Sequence, residues 1–582
     1  MIHKGEITKF ETISYDVDLC VIGGGLAGMC AAISAARNGI KVLLMHDRPV
    51  LGGNASSEVR MWVRGAHGKD NRETGIVEEI ALEAFYRNPY CNFSIWDSIL
   101  YEKVRFEDNL TLLLNCSCID AQMSDGRIVS VKGWQGTTQT FHEVNAKIFA
   151  DCSGDSVLAP LTGAEYRMGR EGADEFSEDI APKESDNRTM GMSCLIQARQ
   201  TDRAISYIPP KWAHKYTKKD FENKIDFSRR DAWTEDNFWW LELGGVYDSI
   251  RDTENLRDEL LKVAFGVWDY IKNGGDLDAE KWDIEWVGFL PGKRESRRYV
   301  GNYIMTQNDV RAEGRFDDII AYGGWSMDDH HPEGFATTQP PNIFHAAPSP
   351  FGIPYRCIYS KNIENLMFAG RNISTTHAAM SSTRVMATCA LLGQALGTAA
   401  SVAIKGGTLP GDVDVDLLQQ TLMYDDCYLP FTKRKVSELT KSAIVSEKDE
   451  ILRNGSDRGD DVWQCEKGEC AVFSYDKPQF VRQMRIIFDS DLNRTACVGH
   501  RWNIEEFPMK CNTFTDDIPI CPPKTLVKEF SVFADGKLIF SCGNNYQRMV
   551  KLDVGLSVKE IKVEFYGTWG DEKIRVYSID LI

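Results

Sequence analysis

Histidine and arginine side chains near glycine-rich segments are the groups in this sequence best suited to proton transfer and charge recognition. An imidazole changes its protonation state near neutral pH, so a positioned histidine can take a proton from a hydroxyl or an amine. The candidates are His377, His67 and His331, the last of which directly follows His330, together with Arg384. We interpret His377, Arg384, His67 and His331 as the candidate catalytic set.

Each candidate also has a structural interpretation. His377 and His67 are equally suited to internal hydrogen bonding, and His331 to a solvated loop. Arg384 is equally suited to a salt bridge on the surface of a helix. We keep both interpretations open for all four residues.

The segment 323–332 raises the question of a metal, because Asp328 and Asp329 stand next to two histidines. All four side chains are of types that bind metals. Adjacent histidines rarely point the same way, however, and the spacing matches no regular metal site. We therefore expect no metal.

A basic cluster, Arg294-Glu-Ser-Arg-Arg298, precedes an apparent strand. Arginine forks recognise carboxylates and polyhydroxylated ligands, although ion pairing within an acidic protein is the alternative. Four tryptophans could likewise stack on sugar faces, but we favour a core position for them. These are Trp233, Trp239, Trp240 and Trp325.

The segment that must position these groups begins with a short apolar run, residues 18–22, typical of a buried parallel strand. A helix is predicted over residues 26–38 and a second strand over residues 41–45. The sequence Gly23-x-Gly25-x-x-Gly28 falls exactly at the turn from strand to helix. This context predicts a dinucleotide site.

Each glycine of this turn has a separate task. Gly23 permits the tight turn, Gly25 lets the backbone approach a pyrophosphate, and Gly28 lets the helix pack on the strand. Leu26 and Ala27 lie at the helix N-terminus, where backbone N–H groups and the helix dipole favour an anion.

The second predicted strand should end in an acid that accepts the ribose hydroxyls. The expected position, eighteen to twenty residues past Gly28, holds His46 and Asp47, followed by Arg48. A glutamate would be usual where His46 stands. Either Asp47 or a neutral His46 is therefore expected to contact the ribose.

Three further segments favour FAD over NAD. Leu51-Gly-Gly53-Asn54 follows the second strand after a short loop, and Ala150-Asp-Cys-Ser-Gly154-Asp155 has the form of a strand end that closes an FAD site. Phe368-Ala-Gly370-Arg371 precedes a long helix whose N-terminus would face the flavin. An NAD dehydrogenase would not need this late return to the same sheet.

The chain resembles the FAD-dependent oxidoreductase family of the glutathione-reductase structural type. The resemblance rests on residues 50–60, 65–68, 72–75, 369–377 and 384–393, and it covers roughly residues 15–430. It implies an FAD-dependent enzyme but no particular substrate. Succinate dehydrogenase-like relatives carry a covalent flavin on a histidine where Asn54 stands here, so non-covalent FAD is expected.

The resemblance and the patterning together predict an α/β fold in three parts. A Rossmann-type FAD-binding domain (residues 1–190 and 346–430) is interrupted by a mixed α+β substrate domain (191–345). A C-terminal antiparallel β-sandwich (431–582) is predicted from short alternating runs separated by turns. Residues 454–458 and 488–494 give this region a faint resemblance to discoidin-type galactose-binding modules.

Composition narrows the class of protein. The net charge of −18 argues against a nucleic-acid partner, and 43% hydrophobic and 26% charged residues are ordinary globular values. Residues 19–36 and 385–404 are apolar, but their Gly, Ala, Ser and Thr content indicates buried helices and no membrane span. The polar start and sixteen cysteines without a CxxC pair predict a cytoplasmic protein with free thiols, with disulfides or a metal as alternatives.

These observations predict an FAD-dependent dehydrogenase or oxidase of a small hydroxylated substrate, with a sugar or glycoside favoured. The alternatives are a flavin-dependent reductase of an unsaturated carboxylate and a carbohydrate-binding protein with structural FAD. No second GxGxxG and no CxxC are present, so the electron acceptor is expected to be oxygen, a quinone, another protein or a transient carrier.

Overall fold

The computed structural model describes residues 9–227, 229, 231–274, 277–494, 508–510 and 512–582. In the first part of the chain, up to the predicted boundary at 190, seven strands alternate with five helices. They are β1 (Thr12–Ile22), α1 (Leu26–Arg37), β2 (Val42–Met45), α2 (Ile76–Arg87), α3 (Phe93–Arg105), β3 (Leu110–Leu113), β4 (Cys116–Ser124), β5 (Arg127–Gln135), β6 (Thr140–Asp151), α4 (Leu158–Thr162), β7 (Tyr166–Arg167) and α5 (Ala173–Phe176).

The middle of the chain holds short strands around one long helix. Its elements are β8 (Met192–Ser193), β9 (Ile196–Gln200), α6 (Asp231–Thr234), β10 (Glu242–Leu243), α7 (Thr253–Asn273), β11 (Trp282–Val287), β12 (Gly292–Lys293), β13 (Arg298–Tyr299), α8 (Gln307–Arg311), β14 (Ile319–Gly323), β15 (Met327–His330) and β16 (Asn342–His345).

The remainder of the chain first returns to helices and then becomes almost entirely β. Its elements are β17 (Phe351–Pro354), β18 (Leu366–Phe368), α9 (His377–Thr383), α10 (Met386–Gly406), α11 (Val415–Tyr424), α12 (Glu438–Ser442), β19 (Trp463–Cys465), β20 (Cys470–Phe488), β21 (Val527–Ala534), β22 (Lys537–Cys542), β23 (Met549–Thr568) and β24 (Ile574–Leu581).

The first domain is built on a parallel sheet with the strand order β3-β2-β1-β6. The C-terminal end of β6 pairs in parallel with the late strand β18. The N-terminal half of β6 pairs in antiparallel orientation with β5 of the hairpin β4-β5. The hairpin turns at Asp125 and Gly126, both with positive φ, as the turn prediction required. The predicted return of the chain to the first sheet near residue 366 is thus confirmed.

Helices α1 and α10 pack closely because glycines face the backbone of α1. A Cβ on Gly393 would lie 2.0 Å from the carbonyl oxygen of Ala27, and one on Gly397 would lie 2.1 Å from that of Ala31. Within the described residues, α10 is the one helix long and apolar enough to cross a bilayer, and 89% of its most apolar stretch is buried in the protein. It is therefore a core helix.

The inserted domain has its own aromatic core, which includes Trp233, Trp240, Trp268 and Trp282. This core draws on residues 196–287 and on Phe335. Residues from β13, α8 and β14 belong instead to the core of the first domain. Some residues of the predicted range 191–345 thus pack with the first domain, while the range itself stays a prediction.

The described C-terminal strands form one six-stranded antiparallel sheet with the order β19-β24-β20-β23-β21-β22. The long strands β20 and β23 carry register shifts near residues 474–479 and 481–483, where bulges bend a strand. Alternate residues of these strands enclose a separate hydrophobic core. The antiparallel C-terminal domain is therefore confirmed.

Buried ion pairs join the C-terminal domain to the first domain. Arg548 is 1% exposed, and its Nε lies 3.1 Å from a carboxylate oxygen of Asp426. The buried Arg485 donates to the carbonyl oxygen of Met423, and Arg458 donates to the hydroxyl of Thr74. The two domains therefore share a buried polar interface.

Candidate active site

A cavity of about 740 Å³ lies where α1, α10, the end of β6 and the inserted domain meet. Its lining includes the glycine turn and the residues after β2, and also residues of β15, β16 and the inserted domain. The volume is within the range of cofactor and ligand pockets. We call the first part of this lining the cofactor region and the second part the substrate region.

The glycine turn has the geometry that the sequence predicts. Gly23 has φ +103°, and a Cβ on Gly28 would lie 1.8 Å from the carbonyl oxygen of Gly23. A Cβ on Gly25 would meet nothing closer than the Cα of Gly53, at 3.9 Å. Gly25 is also the N-cap of α1, and no side chain caps this helix. Backbone N–H groups at the start of α1, at Leu26 and Ala27, therefore border the cavity.

His46 stabilises the glycine turn through hydrogen bonds. Its Nδ1 accepts a hydrogen bond from the backbone N–H of Gly24 at 2.9 Å, and its Nε2 lies 3.0 Å from the carbonyl oxygen of Val50. Burial lowers the pKa of His46 to about 4, so the ring is neutral. With both nitrogens engaged, His46 has no free atom for a ribose hydroxyl. The exposed carboxylate of Asp47, next to Arg48 in the cavity wall, remains available.

The segment after β2 closes on the glycine turn. The backbone N–H of Gly52 donates to the carbonyl oxygen of Gly24, and a Cβ on Gly53 would lie 3.0 Å from the Cα of Gly25. The side-chain amide of Asn54 donates to the carbonyl oxygen of Lys293. Asn54 therefore ties the cofactor region to the inserted domain, and non-covalent attachment of the flavin stays a prediction.

Asp155 and Arg371 face each other across the cavity wall. Arg371 Nη2 and Lys293 Nζ each lie 2.8 Å from a carboxylate oxygen of Asp155. Burial opposes ionisation of this carboxyl, but the two cations hold its pKa at about 2. A Cβ on Gly154 would lie 2.4 Å from the Arg371 guanidinium, and Gly370 has φ +117°. Only glycine fits Gly154 without displacing Arg371.

The first turn of α10 also borders the cavity, and its N-cap, Val385, offers no side-chain hydrogen bond. The buried Nε atoms of Arg371 and Arg384, both in the cavity wall, have no hydrogen-bond partner among the described residues. Uncapped helix N-termini and unpartnered cationic donors suit a ligand that carries phosphates and carbonyl acceptors. The donor set therefore fits FAD.

In the substrate region, successive side chains of the strand β15 point to opposite faces. Asp328 and His330, two residues apart, lie on the cavity side, and His330 Nε2 is 3.2 Å from Asp328 Oδ2. His330 Nδ1 is 2.6 Å from an oxygen of Glu242, a residue of the inserted domain. The imidazole ring and the ring of Trp239 make an edge-to-face contact. His330 is thus held between two carboxylates at 4% exposure.

Two arginines balance the negative charges of Glu242 and Asp328. Arg294 lies 3.3 Å from Glu242, and Arg384 lies 3.3 Å from Asp328. Burial would raise the pKa of Glu242, but Arg294 and His330 hold it below its usual value. The pKa of Asp328 is likewise held well below its usual value, against burial, by His330 and Arg384. Both carboxylates are therefore ionised and paired at neutral pH.

His377 was predicted to act beside the flavin, but it does not line the cavity. Its Nδ1 is 2.9 Å from Glu295 and its Nε2 is 3.0 Å from Asp329, on the other face of β15. Burial disfavours the charged ring, yet the two carboxylates raise the pKa of His377 to about 10. His377 is thus a permanently charged, fully paired imidazolium, because β15 places Asp329 away from the cavity.

The positions of His67 and His331 also differ from the predicted ones. His67 stacks on Trp325 at 4.4 Å and lines a second, smaller cavity, while Trp325 lines the main one. His331 follows the last residue of β15, is not among the residues that line the main cavity, and its Nδ1 accepts the N–H of Glu333. Of the four predicted catalytic residues, Arg384 lines the main cavity.

Four residues of the site are absent from the predicted catalytic set: His330, Glu242, Trp239 and Trp325. His331 is predicted in place of His330, although the alternation of a strand at 327–330 groups His330 with Asp328. Glu242 comes from a distant part of the chain and carries no local signal. Core positions are predicted for the tryptophans. This is right for Trp233 and Trp240, but Trp239 and Trp325 line the cavity.

The described residues contain no group of three His, Cys, Asp or Glu side chains placed to hold an ion. In the first domain, Cys20, Cys30 and Cys152 are free and buried.

Comparison with known proteins identifies the class. Residues 18–422 match the family described as FAD dependent oxidoreductase, and the chain belongs to this family. The chain is therefore an FAD-dependent oxidoreductase, and its cofactor is FAD.

Individual relatives are similar over short stretches. Fumarate reductase (cytochrome) of Shewanella frigidimarina is 56% identical over 39 residues, which are 7% of each chain. Glycerol-3-phosphate dehydrogenase of Mycobacterium leprae (strain TN) is 36% identical over 75 residues, 13% of this chain and 12% of that one. The chain thus aligns with only a small part of the curated relatives that it matches.

Solved structures show a more extended but distant likeness. A geranylgeranyl bacteriochlorophyll reductase-like protein of Thermoplasma acidophilum is 12% identical, with a TM-score of 0.30, over 71% of this chain and 84% of its own. The p-nitrophenol 4-monooxygenase of Pseudomonas putida DLL-E4 is also 12% identical, with a TM-score of 0.30, over 69% and 82%.

Proposed function

We propose that the protein is an FAD-dependent dehydrogenase or oxidase of a hydroxyl group on a small polar molecule, with a sugar or polyol as the favoured class. The observation that carries this proposal is the position of His330 in the cavity wall, held by Glu242 and Asp328. Bound FAD supplies a hydride acceptor. The protein must supply a proton acceptor and hold the alcohol in place.

His330 suits the role of the proton acceptor. Its Nδ1 lies 2.6 Å from Glu242 and its Nε2 lies 3.2 Å from Asp328, so each ring nitrogen faces a carboxylate to which it can donate; a proton that passes from Nε2 to Asp328 leaves the Nε2 lone pair free. Asp328 has other partners, Arg384 and the side-chain amide of Asn342. A substrate hydroxyl can therefore take the place of Asp328 at Nε2, donate to it and lose its proton there.

The charge balance favours an uncharged substrate. Glu242 and Asp328 each pair with one arginine, so Arg294 and Arg384 present little net charge to a ligand. The cavity adds an indole face from Trp239 and amide groups from Asn237 and Asn342. Aromatic faces with clustered amide, carboxylate and guanidinium groups are suited to a polyhydroxylated ring.

The alternative is a reductase of an unsaturated carboxylate. Arg297 favours it, because this arginine lines the same cavity and donates a long hydrogen bond, 3.4 Å, to the carbonyl oxygen of Asp155. A carboxylate would then bind Arg297 and Arg384, and His330 would give a proton instead of taking one.

Anaerobic spectroscopy of the flavin distinguishes oxidation of an alcohol from reduction of an unsaturated acid. We expect the flavin absorbance of the purified protein to bleach when polyols and glycosides are added without oxygen. Reoxidation of the photoreduced protein by unsaturated acids such as fumarate, with no bleaching by any alcohol, would instead establish the reductase. A protein that binds sugars but shows neither reaction would be a carbohydrate-binding protein with structural FAD.

A further inference from the structure

In the substrate region several polar side chains are buried, while several apolar side chains are exposed or half-buried. His330 is 4% exposed, Asn237 3% and Arg294 6%, although all three are polar. Phe344, which lines the same cavity, is 60% exposed, and the apolar Leu290 and Ile250 are half-buried. The polar groups therefore lie deep, and apolar groups form part of the mouth.

Phe344 is directly connected to the deep polar groups. In the hairpin β15–β16 it is the cross-strand partner of Asp328, and Asn342 is the partner of His330. Asn342 and Phe344 are two residues apart on one strand and so lie on the same face. Phe344 therefore lies on the face of the hairpin that carries Asp328 and His330.

An exposed phenylalanine at a cavity mouth is unfavourable in the free protein. Its ring contributes favourably once a ligand removes it from water, at roughly 25 cal/mol per Å² of apolar area. Leu290 and Ile250, which line the same cavity, add partly exposed apolar area. The mouth therefore offers apolar area that a ligand could cover.

We propose that the substrate is amphipathic: a hydroxylated head reaches His330, and an aryl or alkyl substituent rests on Phe344, Leu290 and Ile250. The position of the head rests on the proposed function. A hydroxylated head fits better than a quinone head, because the proposed role of His330 requires a group that donates a proton to Nε2. Quinone carbonyls only accept hydrogen bonds.

The experiment compares matched glycosides on the FAD-loaded protein. Methyl and phenyl β-glycosides of glucose, galactose, mannose and N-acetylglucosamine are titrated, and binding is followed by calorimetry and by the visible spectrum of the flavin. We expect the phenyl member of at least one pair to bind about 10-fold tighter than its methyl partner, equal to about 1.4 kcal/mol.

Substitutions at the mouth test whether Phe344 and Leu290 cause the preference for the phenyl glycoside. Phe344→Ser combined with Leu290→Ser should lower the phenyl-to-methyl affinity ratio to below about 3. Phe480→Ser is the matched control, since this phenylalanine is 61% exposed on the C-terminal domain and does not line the cavity. It should leave the ratio unchanged. Circular dichroism and flavin content establish that each variant is folded and loaded.

Equal affinities within every pair would overturn the proposal, and so would a failure of every glycoside to bind. Binding of ubiquinone-1 that is lost in the double variant, with no glycoside bound, would assign the mouth to an electron acceptor instead. Anaerobic bleaching is measured separately. A phenyl preference without bleaching leaves the amphipathic ligand in place and contradicts only the proposed oxidation.

Discussion

Asp328 and Asp329 are neighbours in the chain, yet their carboxylates serve different histidines on opposite faces of β15. Asp328 Oδ2 lies 3.2 Å from His330 Nε2 in the cavity wall, and Asp329 Oδ1 lies 3.0 Å from His377 Nε2 behind it. One strand therefore carries both a site histidine and a buried, charged structural histidine.

The adjacent pair His330 and His331 gives a direct test of the proton acceptor. His330→Ala should keep its FAD and lose about 10²- to 10⁴-fold in kcat, the usual contribution of general base catalysis. His331→Ala removes the neighbouring imidazole, whose Nδ1 accepts only a backbone N–H, and should change kcat less than 2-fold. Equal losses in both variants would remove His330 from its proposed role.

His377 should affect stability through its charge. Its pKa is about 10 in the folded protein against 6.5 for the free side chain. Because the folded pKa is raised, the stabilisation is complete below about pH 6.5 and is lost as the pH rises through about 10. His377→Gln removes the cation that Asp329 and Glu295 share, while Glu295 keeps its ion pair with Arg298, and should cost about 3 kcal/mol near neutral pH.

The measurement for His377 is the difference in free energy of unfolding between wild type and His377→Gln from pH 6 to 10.5. This difference should shrink with rising pH. A difference that stays constant over the range would show that the ring is neutral in the folded protein.

The glycine turn can be tested by flavin content. Gly25→Val places a branched side chain at the wall of the cavity, where the Cβ position is open to the ligand, so the protein should fold but contain little FAD. Gly136→Val is the control, because a Cβ there meets nothing closer than 3.7 Å and the residue lies outside the site. Normal flavin absorbance in Gly25→Val would contradict the assignment of the pyrophosphate region.

The C-terminal domain should be required for stability. A chain that ends near residue 435 loses Arg548 and Arg485, which leaves Asp426 without its buried partner. We expect this chain to aggregate. In the full chain, Arg548→Ala should lower the free energy of unfolding by about 3–5 kcal/mol, as measured by denaturant titration. A soluble, yellow truncated protein would show that the interface is dispensable.

Much of the fold could be predicted because its signals are local. The apolar runs of β1 and β2, the glycine spacing between β1 and α1, and the turn at Asp125 and Gly126 each follow from a few consecutive residues. The FAD family followed from the same segments. The packing of residues 299–327 could not be predicted, because they join a core formed mostly by distant parts of the chain.

The sequence by itself determined the cofactor cradle, since backbone conformation at Gly23 and close packing at Gly28 depend on the absence of a side chain at those positions. Only the tertiary structure decided which histidine lines the substrate region of the cavity. Glu242 reaches His330 from 88 residues away, and Glu295 reaches His377 from 82 residues away. Long-range partners fix the charge and access of an imidazole, and no local pattern in the chain encodes them.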